Sequence, residues 1–245
     1  MTTKHPWNIS IADAYANRYG EVAQDFLNLV VEPALAGLDS KAVELAKNPD
    51  QAIASIQALD HINLTAKTSM ALCLGIQSVW EQQLRSYLRN CIGSLRLGDA
   101  LQKRLDDVTW GEKMDSLFLD VRGVDFQSFD SYKHLDLLQT LGNVCRHGEG
   151  KSAMKLRKNH TGLWPHWADT SKYPNVPLTY RAPVDGIRIS VELLRELVSA
   201  VVLFWLDMQR LGTESLLDSQ PGLQSEVESL LARRTPFLVS RNPLI

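Results

Sequence analysis

The sequence predicts an all-α protein. Apolar residues recur at spacings of three and four along most of the chain, which is the period of an amphipathic helix. Alternating β-branched segments bounded by turn residues, which indicate strands, are scarce. With 245 residues, 44% of them hydrophobic, and a formal charge of only -2, the chain can bury a substantial core. We therefore expect a globular helical protein.

The N-terminal part of the chain, residues 1–60, is predicted to be a helical extension. The sequence Ser-Ile-Ala-Asp beginning at Ser10 has the form of a capping box, and a helix is expected to run from it toward Pro33. Shorter helices are predicted over 41–47 and 50–59, because the Asn-Pro pair between them favours a turn.

A long core helix is predicted from about 64 to 92, where apolar residues form a broad face. Its polar face carries Glu81 and Arg85 four residues apart, with Arg89 one turn further on. At this spacing an exposed ion pair stabilises a helix by only about 0.2 to 0.5 kcal/mol. An exposed salt bridge is the simplest interpretation of this pair.

Four shorter helices follow, at about 98–107, 110–120, 131–146 and 151–160. The third is predicted to end at Gly148, a residue suited to a left-handed C-terminal cap. The chain then enters a long irregular loop.

This loop covers about 161–187 and is rich in proline and aromatic residues. Within it, the tryptophans of Trp164-Pro165-His166-Trp167 could stack a base or could pin the loop to the body of the protein. A strongly apolar helix is expected at 189–211, and a capping box at Ser225 predicts a last short helix. Residues 61–245 are accordingly assigned to one helical domain, and a single domain that is continuous with residues 1–60 is the alternative.

Composition argues against an exported or membrane protein. The three cysteines, at 73, 91 and 145, have no paired spacing, which disfavours both a disulfide framework and a four-ligand zinc site. The N-terminus lacks an apolar segment of signal-peptide length, and the most apolar run, 197–206, is too short to cross a bilayer. We expect a cytoplasmic protein with no membrane association, no metal and no cofactor.

The stretch NVCRHGEGKSA, residues 143–153, is compatible with three chemistries. A phosphate loop needs Gly, four residues and Gly-Lys-Ser/Thr after a strand, but here Cys145 replaces the first Gly and a helix precedes it. A metal site would draw on Cys145, His147, His160 and His166. Cys145 and His147 are two residues apart, which directs them to different sides of a helix and disfavours a shared ion.

The third chemistry, contact with phosphate groups, is favoured by charge. Segment 146–160 contains five cations and one acid, a local charge of +4. Three of its lysines recur at i, i+4 and i+7 and therefore share one helix face. A solvated helix without a partner is the alternative. The candidate binding residues are Lys151, Ser152, Lys155 and Lys158.

The same residues resemble the HEPN superfamily, compact helical domains found in many prokaryotic toxins, defence proteins and RNA-processing enzymes. The resemblance covers about 62–160 or, with the later helix at 189–211, a longer part of the chain. It rests on a long helix with Glu81 in its second half, then a helix that ends in Asn143-x-x-x-His147, then a glycine-containing turn. For active members it implies a metal-independent ribonuclease that works as a homodimer, with a motif of Arg, four to six residues and His.

The sequence departs from this motif because positions 140–142 contain no Arg. Metal-independent RNA cleavage needs a group that takes the 2′-hydroxyl proton and a cation beside the phosphate, and His147 suits the first task. Asn143, one turn earlier, could orient the imidazole or a phosphate oxygen. Either Arg146 or Arg89 supplies the missing cation, or the domain has lost cleavage.

Two functional hypotheses follow from these residues. The first is an endoribonuclease of a defence or toxin-antitoxin type, with candidate catalytic residues Asn143, His147, Arg146 and Arg89. The second is a non-catalytic binding and dimerisation module. Under both, RNA or another polyanion is the expected partner and a homodimer the expected assembly, and a protein partner such as an antitoxin is compatible with either.

Overall fold

The computed structural model describes residues 11–165, 167 and 182–239, and in these residues the regular structure is helical, without strands. The all-α prediction is therefore confirmed. No helix in the described ranges is both long and apolar enough to cross a membrane.

The first two helices form one continuous helical segment. Helix α1 covers Ile11–Phe26, a π-helical turn follows at Leu27–Val31, and α2 covers Glu32–Leu45. Pro33 lies in the first turn of α2 and does not end the helix. Proline lacks an N–H and its ring clashes with the carbonyl four residues back, and the wider π turn directly before it relieves both constraints. The predicted cap at Ser10 lies outside the described residues.

Helix α3 covers Gln51–Ser94 and joins the predicted helices at 50–59 and 64–92 into a single element. No glycine or proline interrupts the sequence between them. Its 44 residues correspond to about 66 Å at 1.5 Å per residue. The predicted turn before it is present, and the Asp50 carboxylate accepts hydrogen bonds of 3.0 and 3.2 Å from two amides of the first turn.

The next five helices lie within three residues of their predicted bounds. They are α4 (Asp99–Asp107), α5 (Glu112–Arg122), α6 (Tyr132–His147), α7 (Lys151–Asn159) and α8 (Val191–Glu214). The last helix, α9, covers Gln224–Arg234. Its predicted capping box is wrong, because a 3-10 turn at Pro221–Leu223 leads directly into the helix and places Ser225 inside the first turn.

The described residues divide into two compact units. The first contains residues up to 24, 78–136 and those from 196 onward, and the second contains 25–77 and 137–195. Helices α1, α3, α6 and α8 contribute residues to both.

An aromatic cluster forms the core of the first unit. The Trp80 and Phe204 rings lie 4.9 Å apart nearly edge to face, and Phe204 and Trp205 lie 5.0 Å apart in a similar arrangement. The Trp205 indole also donates a 3.0 Å hydrogen bond to the Gln83 amide oxygen. These contacts join α3 to α8 within the unit.

The Glu81–Arg85 pair also belongs to this unit. The two side chains are about three-quarters buried, so the expectation of an exposed salt bridge is wrong. Arg85 donates to Glu81 at 3.1 Å and to the backbone carbonyls of Leu105 and Val108 at 3.0 and 2.8 Å. The guanidinium therefore binds the end of α4 to α3, a structural role.

A buried histidine–glutamate pair also lies in the first unit. His134 is fully buried, and its Nε2 lies 3.0 Å from a carboxylate oxygen of Glu196, while its Nδ1 has no partner among the described residues. Ser131, one turn earlier, is also fully buried. A serine, a histidine and a carboxylate are the components of nucleophilic catalysis, but this burial excludes substrate, so the pair is structural.

Burial of His134 predicts a pH-dependent stability. Loss of hydration lowers its pKa, although the Glu196 carboxylate opposes this shift. The folded protein then binds fewer protons than the unfolded chain below about pH 6.5, so stability is fully present above that pH and declines as pH falls toward the lowered pKa.

We expect His134→Gln to lower the free energy of unfolding at pH 7.5. The difference from wild type should shrink at pH 5.5, because the wild type loses stability as pH falls whereas glutamine does not titrate. Urea unfolding at both pH values measures it. A difference that stays constant or grows at pH 5.5 contradicts the prediction.

Candidate nucleic-acid interface

The stretch that carries the candidate chemistry is the end of α6 and the start of α7, as predicted. Helix α6 ends at His147, and Gly148 has φ +70° and donates a 2.8 Å hydrogen bond to the Val144 carbonyl. Glycine adopts this left-handed conformation at little cost, and it closes the helix. A short turn then leads to Lys151, the first residue of α7.

Asn143 and His147 lie four residues apart on α6 and share one side of it. Asn143 is half-buried and His147 is exposed. Neither side chain hydrogen bonds to another residue in the described part of the chain, so both keep their polar atoms for an external group. The cation nearest in sequence, Arg146, is exposed as well.

Arg146 is nonetheless connected to a buried amide pair. Its Nη2 donates to the Gln77 side-chain oxygen at 3.1 Å, and Gln77, fully buried on α3, donates to the Gln139 oxygen at 3.0 Å. Gly142 makes room for Gln77, because a Cβ there would lie 2.6 Å from the Gln77 Cγ. This network fixes α6 against α3 within the second unit.

Helix α7 presents its lysines to solvent. Lys151, Lys155 and Lys158 are exposed and share one face, whereas Ala153 and Leu156 on the opposite face are completely buried. Ser152 is half-buried in the first turn of the same helix. The structure therefore brings the predicted binding residues together beside the end of α6.

A fourth cation of α7, Arg157, faces the protein instead. Its Nη2 donates to the two carboxylate oxygens of Glu149 at 2.5 and 2.7 Å. Its Nε donates to the Ala182 carbonyl at 2.8 Å. The guanidinium also lies 5.7 Å from the centroid of the Trp164 ring. Glu149 also accepts a 3.1 Å bond from the Val184 amide. Arg157 lowers the pKa of Glu149 by stabilising its carboxylate.

The Arg157–Glu149 pair changes how the local charge is distributed. The two residues neutralise each other, so the +4 of segment 146–160 resides on Arg146 and the three lysines. These four cations are exposed. The charge is therefore on the outer surface, where a polyanion can reach it.

The remaining predicted residues have other positions. Arg89 belongs to the first unit, and its Nη2 lies 3.4 Å from Asp106 in an exposed ion pair. Trp164 is buried and its indole donates to the Pro183 carbonyl at 2.8 Å, so it pins the loop and offers no face to a base. Trp167 is 45% exposed, and His166 lies outside the described residues.

Two cysteines that are 72 residues apart in sequence meet in the second unit. Cys73 on α3 and Cys145 on α6 are free thiols joined by a hydrogen bond. That bond lowers the pKa of Cys145, and the same bond together with burial raises the pKa of Cys73. Sequence spacing gave no sign of this pair. No group of three or more metal-ligating side chains occurs in the described part of the chain.

The lowered pKa predicts that Cys145 is the reactive thiol. Iodoacetamide should alkylate it faster than Cys73 and Cys91, since Cys145 is half-buried and the other two are buried. Cys73→Ala removes the hydrogen-bond donor and should slow this reaction several-fold at pH 7, while Cys91→Ala, a matched buried thiol, leaves it unchanged. Timed quenching and peptide mass spectrometry measure the rates. Equal rates at all three thiols contradict the prediction.

Comparisons with protein-family models, with curated proteins and with solved structures find no match for this chain.

Proposed function

We propose that this protein is an RNA-associated, HEPN-like helical protein that binds RNA through the lysine face of α7 and the adjoining end of α6. The observation that carries the proposal is the segregation of charge: three exposed lysines share one face, while the inward Arg157 is neutralised by Glu149. Such a face fits the repeated phosphates of a nucleic-acid backbone.

The lysine surface differs in charge from the rest of the chain. The whole protein has a charge of -2, so the residues outside segment 146–160 carry -6 together. Non-specific attraction of RNA to the whole protein is therefore weak, and the lysine face of α7 is a basic surface that attracts RNA locally. Counterion release from the bound phosphates supplies the favourable free energy.

Replacing Lys151, Lys155 and Lys158 together by Ala should weaken RNA binding and flatten its salt dependence. For single-stranded RNA the slope of log K against log salt should fall by about two, since each phosphate contact contributes about 0.7. Fluorescence anisotropy with a labelled oligonucleotide at several salt concentrations measures it.

A matched triple variant provides the control. Lys47, Lys103 and Lys113 are exposed and lie outside the α6–α7 surface, so their replacement by Ala removes the same charge. We expect this variant to keep nearly all of the wild-type slope. Equal loss in the two triple variants, with both folded, means that net charge and not this surface governs binding.

Metal-independent RNA cleavage is the second candidate function. The exposed imidazole of His147, which has no hydrogen-bond partner among the described residues, favours it. The imidazole would take the proton of a 2′-hydroxyl as its oxygen attacks phosphorus, and the 5′-oxygen would leave with a proton from water, giving a 2′,3′-cyclic phosphate. Arg146 is the cation beside it in sequence. The absence of the motif Arg, together with the hydrogen bond from Arg146 to Gln77, favours binding without cleavage over cleavage.

If the protein cleaves RNA, cleavage should continue in excess EDTA and fall at least about a hundredfold in His147→Ala, the usual scale for losing an acid-base group. Arg146→Ala should lower it more than Arg89→Ala, since Arg89 is paired with Asp106. End-group analysis of the products by mass spectrometry identifies the cyclic phosphate. Wild-type protein that leaves structured and single-stranded RNA intact removes this candidate.

We also propose a homodimer as the functional assembly, with a protein partner such as an antitoxin as the alternative. Ile53, Ile56 and Leu59, on the first part of α3, expose 47%, 65% and 60% of their surface, which is unusual for a run of large apolar side chains. Multi-angle light scattering should give twice the 27.5 kDa mass of one chain. A mass of one chain at micromolar concentration contradicts the homodimer.

A further inference from the structure

A cavity in the second unit is lined by none of the residues of α7. It measures about 490 Å³ and is lined by α2, α3, the segment after α7 that contains Gly162 and Pro165, and the segment that leads into α8. This volume is within the range of small-molecule sites, about 300 to 1,000 Å³. The cavity follows α3 from His61 to Ser69, eight residues or about 12 Å along the helix axis.

Its walls are mainly apolar. Ala42 of α2, Ile62 and Ala66 of α3, and Ile189 before α8 line it. Ala66 and Ile189 are themselves 8% and 5% exposed, so they form a floor and not a rim. A molecule with an apolar body about 10 Å long therefore fits the surface that the cavity offers.

Two buried polar side chains also face this apolar space. Ser69 is 4% exposed and lines the cavity. His61 is 9% exposed, and its Nε2 donates to the Leu38 carbonyl at 2.8 Å, which leaves Nδ1 as an acceptor. Both side chains therefore offer a polar group to a ligand in a mainly apolar space.

The positively charged Arg188 lines the cavity next to the start of α8. The Arg188 guanidinium uses Nη1 for the carbonyls of Asp185 and Ile187, both at 3.0 Å, and within the described residues no carboxylate pairs with it. Ser190 caps α8 by accepting a 3.1 Å bond from the Leu193 amide, so the positive end of the helix dipole is on the same side. Both features favour an anionic group there.

The lining of the cavity also includes an acid. Asp39 of α2 lines the cavity and is exposed. Its negative charge disfavours a multiply charged ligand such as a phosphate monoester. A ligand with a single carboxylate, which can form an ion pair with Arg188, therefore fits the charges of the lining better than a phosphate monoester does.

We propose that this cavity binds a medium-chain or similarly sized monocarboxylic acid, with the carboxylate at Arg188 and the start of α8 and the apolar body along α3 toward Ser69. The lining contains no residue of α7, so the site can be present whether or not the protein binds RNA.

Octanoate is the probe, and octanamide is its neutral counterpart of the same length. Isothermal calorimetry and saturation-transfer NMR should detect saturable octanoate binding to the full chain, at least tenfold tighter than octanamide. Arg188→Gln should weaken octanoate at least tenfold, and Ser69→Leu, which fills the cavity, should abolish binding. Arg18→Gln removes the same charge from a side chain that is 79% exposed outside the cavity and should bind as wild type.

Three results overturn the proposal: no saturable octanoate binding to the wild type, wild-type affinity in Arg188→Gln, or octanamide that binds as tightly as octanoate. Thermal melts establish that each variant is folded. If Ser69→Leu does not fold, Arg188→Gln, whose side chain is only half-buried, and the octanamide comparison still decide the outcome.

Discussion

The ion pair between Arg157 and Glu149 is the interaction on which the arrangement of the candidate interface depends. One guanidinium holds the turn after α6 through Glu149, the segment before α8 through the Ala182 carbonyl, and the Trp164 ring. Arg157 is on the inner side of α7, so these contacts orient the helix and leave its lysine face outward. An ion pair contributes little where both side chains are exposed. Here the Glu149 side chain is 59% exposed, but the Arg157 side chain is only 16% exposed and also contacts the Ala182 carbonyl and the Trp164 ring.

Two hydrogen bonds of the buried Gln77 side chain also stabilise the position of α6, which carries part of the candidate interface. Gln77 connects α3 to Gln139 and Arg146 of α6, and Gly142 makes room for it. Buried amides are costly unless they are bonded, so this network favours one register of α6 against α3. The end of α6, with Asn143 and His147, is thereby held in position. The Cys73–Cys145 contact lies on the same pair of helices.

Local patterns predicted the elements, whereas contacts between distant residues could not be predicted. Helical periodicity placed α4 to α8 within three residues, and Gly148 marked the end of α6, since both signals are local. The continuity of α1 into α2 was missed because a proline usually ends a helix and the π turn has no simple sequence signature. Within the site, the spacing of the lysines revealed their shared face. The roles of Gln77, Glu149 and Cys73 depend on partners that the fold brings together.

The central claim, that RNA contacts the lysine face of α7, is tested most directly by lysine footprinting. The protein would be acetylated with an N-hydroxysuccinimide ester with and without saturating single-stranded RNA, and modification quantified residue by residue. We predict protection of Lys151, Lys155 and Lys158, with Lys103 and Lys113 modified equally in both samples. Protection confined to lysines outside α7, or no protection of any lysine under conditions where the RNA is bound, would contradict the account.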